Sequence, residues 1–132
     1  MNRIPAFASA ILSCLLFAAA ALPQPTGNQW IIRAIAQAPP KASARQNPYD
    51  SQTNAVLAGK KLYRQHCAEC HGDDARGIGR AADLHSPGVQ NATPGQLEWL
   101  LRNGNLPAGM PSWSGLPEER RWQIVAYLKT LR

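Results

Sequence analysis

The run Cys67-Ala68-Glu69-Cys70-His71 constrains this chain more than any other stretch. Two thiols separated by two residues, with an imidazole directly after the second, is the pattern that attaches haem of the c type. Each sulfur can form a thioether to one of the porphyrin's two vinyl-derived carbons, and the adjoining histidine is thereby brought under the iron. Cys67 and Cys70 are therefore candidate tethers and His71 a candidate axial ligand. Two other uses of such a pair stand beside this one. A zinc half-site wants a second ligand pair at finger-like spacing, and the later sequence offers only His85. A thioredoxin-like pair belongs in a βαβ setting, whereas the surroundings here read as helix and loop.

With 132 residues the chain has room for one domain, and part of it reads as a leader. A scaffold of about eighty residues seldom buries enough apolar surface unaided and needs a staple such as a disulfide, a metal or a cofactor. Covalent haem would be that staple. The third cysteine, Cys14, lies in the leader; with the leader removed, the other two are both consumed by attachment. The formal charge of +6 is uneven: Arg3, Arg33, Lys41 and Arg45 precede residue 48 with no acid, and the rest carries a net +2. No dense basic stripe interleaves with aromatics, which excludes a nucleic-acid partner.

Residues 1–38 are read as a signal peptide or leader. A single charge, Arg3, precedes an apolar run through Phe7, Ile11, Leu12, Leu15, Leu16 and Phe17 to Leu22. Small-x-small cleavage points occur at Ala19-Ala20-Ala21 and again at Ala34-Ile35-Ala36 and Ala36-Gln37-Ala38, after the patch Trp30-Ile31-Ile32. An uncleaved anchor is the alternative, with a lipid anchor on Cys14 a third reading that the short stretch before it disfavours, and a membrane enters only if the leader is retained. Residues 39–53, rich in Pro, Ser, Gln, Asn and Lys without apolar periodicity, read as a flexible tether. The folded domain is expected over 54–132.

Within it, Thr53 or Asn54 caps a first helix whose apolar stripe runs through 56, 59, 62 and 63. Gly59 inside it costs about 1 kcal/mol relative to alanine, which asks for a close helix contact. Thr93-Pro94-Gly95-Gln96 is a capping box with proline at the first helical position, and Gly104 is the stop. A last helix covers 117–131, with Trp122, Ile124, Val125, Tyr127 and Leu128 on a broad apolar face. Between the second and last helices lies Gly109-Met110-Pro111. Met110 is the only methionine besides the initiator. Its soft, neutral thioether favours reduced iron, Gly109 lets the backbone approach, and Pro111 stiffens the loop. Core filler is the alternative use of such a side chain.

From Ala55 to Leu131 the chain resembles the class I c-type cytochromes. That resemblance implies a small all-α cytochrome c fold, with N- and C-terminal helices crossing and haem enclosed by loops and a middle helix. It implies His71 and Met110 as axial ligands of one covalent haem c. It also implies a contact of Gly59 and Tyr63 with Ile124 and Tyr127. In such proteins a proline carbonyl in the glycine-rich loop accepts a hydrogen bond from the ligand imidazole. Arg80 stands in its place here and is expected to supply that carbonyl. Leu84, Pro111 and Trp113 are expected around the cofactor, while His66, His85 and Trp99 read as structural or surface residues.

The function implied is that of a single-electron carrier in an exported respiratory or dehydrogenase-linked chain, not an enzyme. Its redox partners would be a periplasmic quinoprotein dehydrogenase or a terminal oxidase. Two alternatives remain: a haem enzyme or gas-binding protein with an open distal site, and a tethered cytochrome subunit of a larger oxidoreductase. Lys60, Lys61, Arg64, Arg120 and Arg121 either steer an acidic partner or solvate helix faces.

Overall fold

The computed structural model describes residues 26–131, and among these the regular elements are helices. They are α1 (Gly27–Ala36), α2 (Pro40–Ser43), α3 (Thr53–His66), α4 (Ala68–His71), α5 (Pro87–Gln90), α6 (Pro94–Asn103) and α7 (Glu118–Leu128), with a 3-10 turn at Leu106–Ala108. The all-α architecture implied by the sequence is thus the one observed.

The packing is centred on α3 crossing α7 at Gly59. A Cβ built there would overlap the Gln123 carbonyl oxygen, lie 2.6 Å from that carbonyl carbon and meet the Tyr127 Cβ at 3.0 Å. The two backbones touch, and only a residue without a side chain permits it. One turn further on, the rings of Tyr63 and Tyr127 pack with centroids 5.3 Å apart at 55°. Tyr63 and Val125 have no exposed surface and Ile124 only 1 %, so this crossing is the driest part of the core. The Tyr63 hydroxyl does not go unpaired: it donates to the Gly72 carbonyl (2.6 Å). A buried phenol satisfied in this way joins the crossing to the residue just after His71.

Helix α6 begins as its sequence demands. Thr93 accepts from the Gln96 amide (3.1 Å), Gln96 reaches back to the Thr93 amide (2.8 Å), and Gly104 ends the helix with φ +71°. The expected threonine or asparagine cap of α3 is not realised: Thr53 is already the first helical residue, and Gln52 precedes it without a side-chain cap.

The N-terminal segment departs furthest from the sequence reading. Residues 1–25, where the basic start and most of the apolar run lie, fall outside the described residues. From Thr26 onward, however, residues assigned to the leader form α1. They bury Ile31, Ala34 and Ile35 in the common core. Burial of each isoleucine is worth about 1.5–3 kcal/mol relative to exposure. The patch Trp30-Ile31-Ile32 is thus part of an amphipathic helix. Its start carries the same device as α6, since Thr26 and Gln29 form a reciprocal capping box.

The reading of 39–53 as a flexible tether is likewise corrected. Asn47 is 7 % exposed, donates to the Trp122 carbonyl (2.9 Å) and accepts from the Tyr49 amide (2.9 Å). Arg45 lies over the Trp122 ring at 5.0 Å and pairs with Glu98 (3.3 Å) and with Glu118. That guanidinium, together with a hydrogen bond from Trp122, holds the exposed Glu118 carboxyl below the usual carboxylate range. The Ser43 carbonyl accepts from Thr93 Oγ1 (2.8 Å), which seats the end of α2 on the start of α6. Polar composition was the wrong guide here, because these polar groups find partners in α6 and α7.

Arg121 is a further correction. Read as a helix-surface cation, it is 5 % exposed and donates through Nε to Glu98 (2.8 Å), itself 2 % exposed. Such a buried pair fixes register between α6 and α7 more surely than it adds stability, because both ions have been taken out of water.

Gly59→Ala separates two effects of opposite sign. Helix propensity alone would stabilise the protein by about 1 kcal/mol. Overpacking against the α7 backbone costs about 1–3 kcal/mol and should outweigh it. Denaturant unfolding of the haem-loaded protein should therefore give a lower midpoint for Gly59→Ala than for wild type; a raised midpoint would mean that the crossing is not this tight.

Candidate haem site

Helix α3 runs directly into the thiol motif, which folds as the single turn α4. The turn is closed by amides of Cys70 and His71 donating back to the Cys67 carbonyl (3.2 and 2.9 Å). Cys67 is half-buried and Cys70 exposed, and the two are not joined to each other. Burial, and secondarily the neighbouring Cys70, pushes the Cys67 thiol up to about 12.

His71 is oriented from behind. Its Nδ1 lies 2.9 Å from the Ala82 carbonyl oxygen, which can only accept, so Nδ1 carries the proton and Nε2 keeps a free lone pair. Burial lowers the imidazole pKa, against a smaller rise from this hydrogen bond. Both effects leave a ring suited to ligation. The acceptor is thus Ala82, not Arg80 as the family pattern suggested. The glycine-rich loop is held differently: the Gly77 amide donates to the His71 carbonyl (2.8 Å) and the Ile78 amide to the Cys70 carbonyl (2.9 Å). These bonds fold residues 77 and 78 back on the motif, and the Ala82 carbonyl is the one that reaches the ring. Arg80 remains at the rim of the cavity.

The loop carrying Met110 is built by local hydrogen bonds. Asn105 and Met110 exchange two backbone bonds (2.9 and 3.1 Å), bracketing the 3-10 turn. Gly109 adopts φ +87°, a conformation that costs a residue with Cβ. Beyond Met110 the loop is fastened to α6, where the Trp113 amide donates to the Leu101 carbonyl (2.8 Å) and Ser112 Oγ to the Arg102 carbonyl (2.6 Å). Trp113 also packs against His66, with ring centroids 5.2 Å apart, and so links the methionine loop to the end of α3.

One cavity of about 470 Å³ gathers these parts. Cys67, Cys70, His71 and Met110 line it, as do Arg80 and the three residues expected around the cofactor, Leu84, Pro111 and Trp113. Its remaining walls are mainly apolar, with Leu97, Leu100 and Leu101 from α6 and Ile124 and Leu128 from α7. The volume suits a medium-sized ligand. The donor set suits haem, with a thiol pair and an imidazole of fixed tautomer on one segment and a thioether on another. Trp30 also lines the space, and its buried indole N–H has no hydrogen-bond partner among the described residues, as expected of a donor whose acceptor is not protein.

Among residues read as bland, His85 is half-buried and its Nε2 pairs with the Asp74 carbonyl (2.8 Å), so it stiffens the glycine-rich loop; it does not line the cavity. Trp99 packs on the core, the simplest of the uses open to it. The α1 contribution to the cavity, Gly27, Trp30 and Ile31, was missed. The signal that could have revealed it is Thr26-x-x-Gln29, the same capping signature that located α6.

Residues 54–128 match the family described as cytochrome c oxidase, cbb3-type, subunit III. The match covers more than half of the chain. The chain belongs to this family of c-type cytochromes. It binds haem c covalently and serves as an electron carrier, consistent with the thiol motif. It is 35 % identical over 95 residues to the quinohemoprotein alcohol dehydrogenase ADH IIB of Pseudomonas putida, a stretch that is 70 % of this chain but 14 % of that protein. It is 29 % identical over 115 residues to cytochrome c550 of Pseudomonas aeruginosa, covering 82 % of this chain and 71 % of the relative. Among solved structures, cytochrome cL of the marine methylotroph Methylophaga aminisulfidivorans superimposes with a TM-score of 0.57 at 24 % identity, over 64 % of this cytochrome and 58 % of that chain. A reducing HAO-like protein complex of Kuenenia stuttgartiensis gives 0.56 at 24 % identity, over 64 % and 46 %. At that identity the two structures speak for the cytochrome fold alone.

Proposed function

We propose that this cytochrome carries one haem c, bonded through Cys67 and Cys70 and held axially by His71 and Met110, and that it passes single electrons without catalysing a reaction. The observation that carries this is one cavity lined by Cys67 and Cys70, by His71, whose Nδ1 is committed to the Ala82 carbonyl, and by Met110. Haem c supplies a reversible one-electron change at its iron. The protein's part is to fill both axial positions so that no site is left open to peroxide or oxygen. It also keeps those positions alike in both oxidation states. The backbone bonds on each side of Met110 and the buried crossing behind His71 serve that rigidity.

The same reading places the protein outside the cytoplasm, since thioether attachment and an apolar leader accord with export. Among the described residues no helix is long and apolar enough to cross a membrane. The likeness to a stretch of a quinohemoprotein dehydrogenase favours a periplasmic dehydrogenase of that class as electron donor, with a terminal oxidase as the other candidate partner. Small, short-lived interfaces fit such exchange. The packing of Arg45 and Asn47 argues against residues 39–53 acting as a free tether to a larger assembly.

Two outcomes test the proposal. Oxidised wild-type protein should show the weak far-red absorption of a sulfur-to-iron bond and bind carbon monoxide poorly when reduced. Met110→Ala should lose the band and gain carbon monoxide affinity by roughly tenfold or more, whereas a wild type that already lacks the band and binds carbon monoxide would establish an open distal site. Leader removal is expected at Ala19-Ala20-Ala21, because a cut after Ala36 or Ala38 would remove α1 and its three buried residues. Intact mass of the exported protein should therefore place the new N-terminus before Gly27; a start at Gln37 or Pro39 would show that α1 is dispensable.

A further inference from the structure

The Ala82 carbonyl that accepts the hydrogen bond from His71 Nδ1–H belongs to the same peptide unit as the Asp83 amide. That amide donates to Asn28 Oδ1 at 2.9 Å. A peptide unit is planar and its C=O and N–H share one resonance system, so its two ends cannot be oriented or polarised independently. The result is a continuous chain: His71 Nδ1–H to the Ala82 oxygen, through the 82–83 amide, and from Asp83 N–H to the Asn28 side chain. Hydrogen bonds in such chains strengthen one another. Asn28 sits on α1, outside residues 54–128 that match the family.

We propose that Asn28 is a positioning residue for the axial histidine, acting through the 82–83 peptide to set how strongly His71 donates to the haem iron. Accepting at the N–H end, Asn28 makes the Ala82 oxygen more negative and holds its plane. A stronger acceptor at Nδ1 makes the imidazole a better donor, which favours oxidised iron and lowers the reduction potential. Helix α1 fixes the position of Asn28 independently of the loop. Ile31, Ala34 and Ile35 are buried in the core. Gly27 meets the loop so closely that an added Cβ would overlap the Arg80 carbonyl oxygen and lie 2.7 Å from the Ala81 carbonyl. The Asp83 side chain is committed elsewhere, accepting from the His85 amide (2.8 Å) and lying 3.9 Å from Arg76. The peptide is therefore held at each end by a different element.

The inference rests on His71 being an iron ligand, and the two can fail separately. In the haem-loaded, reduced wild-type protein, the His71 Nδ1–H should appear by NMR as a slowly exchanging ring proton shifted by the macrocycle. If wild type has no such proton, the ligation itself is wrong. Given that proton, Asn28→Ala should raise the reduction potential and speed its exchange with deuterium at least several-fold. Gly27→Ala, which presses on the loop from the same helix, should also shift the potential. Asn47→Ala is the control for a merely structural role: it removes a buried hydrogen bond to the Trp122 carbonyl, lies outside α1 and does not line the cavity, so it should lower the unfolding midpoint and leave potential and exchange unchanged. Wild-type potential and exchange in Asn28→Ala would overturn the proposal, as would an equal shift in Asn47→Ala.

Discussion

The backbone contact between Gly59 of α3 and the Gln123 carbonyl of α7 governs the rest of the molecule. Helix α3 ends at His66 and the haem-attachment motif begins at the next residue, so the angle and depth at which α3 lies on α7 decide where the thiols and imidazole stand. Tyr63 makes that coupling explicit, with its ring packed on Tyr127 and its hydroxyl on the carbonyl of Gly72. The same α7 contributes Ile124 and Leu128 to the cavity wall. Crossing and cofactor site are therefore one packing problem, and disturbing either should be felt by both.

Around that crossing the structure resists change by many short-range bonds and few long excursions. The methionine loop is closed on itself between Asn105 and Met110 and fastened to α6 by Ser112 and Trp113. The N-terminal segment completes the enclosure: α1 forms a wall, and Arg45 and Asn47 secure the following chain to α6 and α7. An electron carrier benefits from such an arrangement because both oxidation states must share nearly one geometry. The small size of the domain makes each added wall matter, since a scaffold of this length has little apolar surface to spare.

What was legible in the sequence was local. The spacing of Cys67, Cys70 and His71, the Thr93–Gln96 box and the Gly104 stop each announce a structural need within a few residues of themselves, and the glycine at 59 was legible because it is costly inside its own helix. Met110 was legible by scarcity and by its flanking Gly109 and Pro111. What was hidden depended on distance. Arg45 and Asn47 look like ordinary polar linker residues because their partners lie 53 and 75 positions away. Arg121 looked like a solvated cation until Glu98 was found beside it. The His71 acceptor could not be read at all, since every residue has a carbonyl and only the folded loop selects that of Ala82. Helix α1 was obscured by its neighbourhood: an apolar patch downstream of a signal-like run reads as more of the same, even with a capping box at Thr26.

The central claim is that the sulfur of Met110 sits on the haem iron opposite His71. The chain has only two methionines, Met1 and Met110. Protein made with 13C-methyl methionine and loaded with haem should therefore give at most two methyl signals, and loss of one in Met110→Leu assigns the signal of residue 110. In the reduced, diamagnetic state, a ligating methyl lies over the macrocycle and its proton resonance should be displaced far upfield by the ring current. A Met110 methyl resonance at the ordinary position of an unligated methionine would contradict the account.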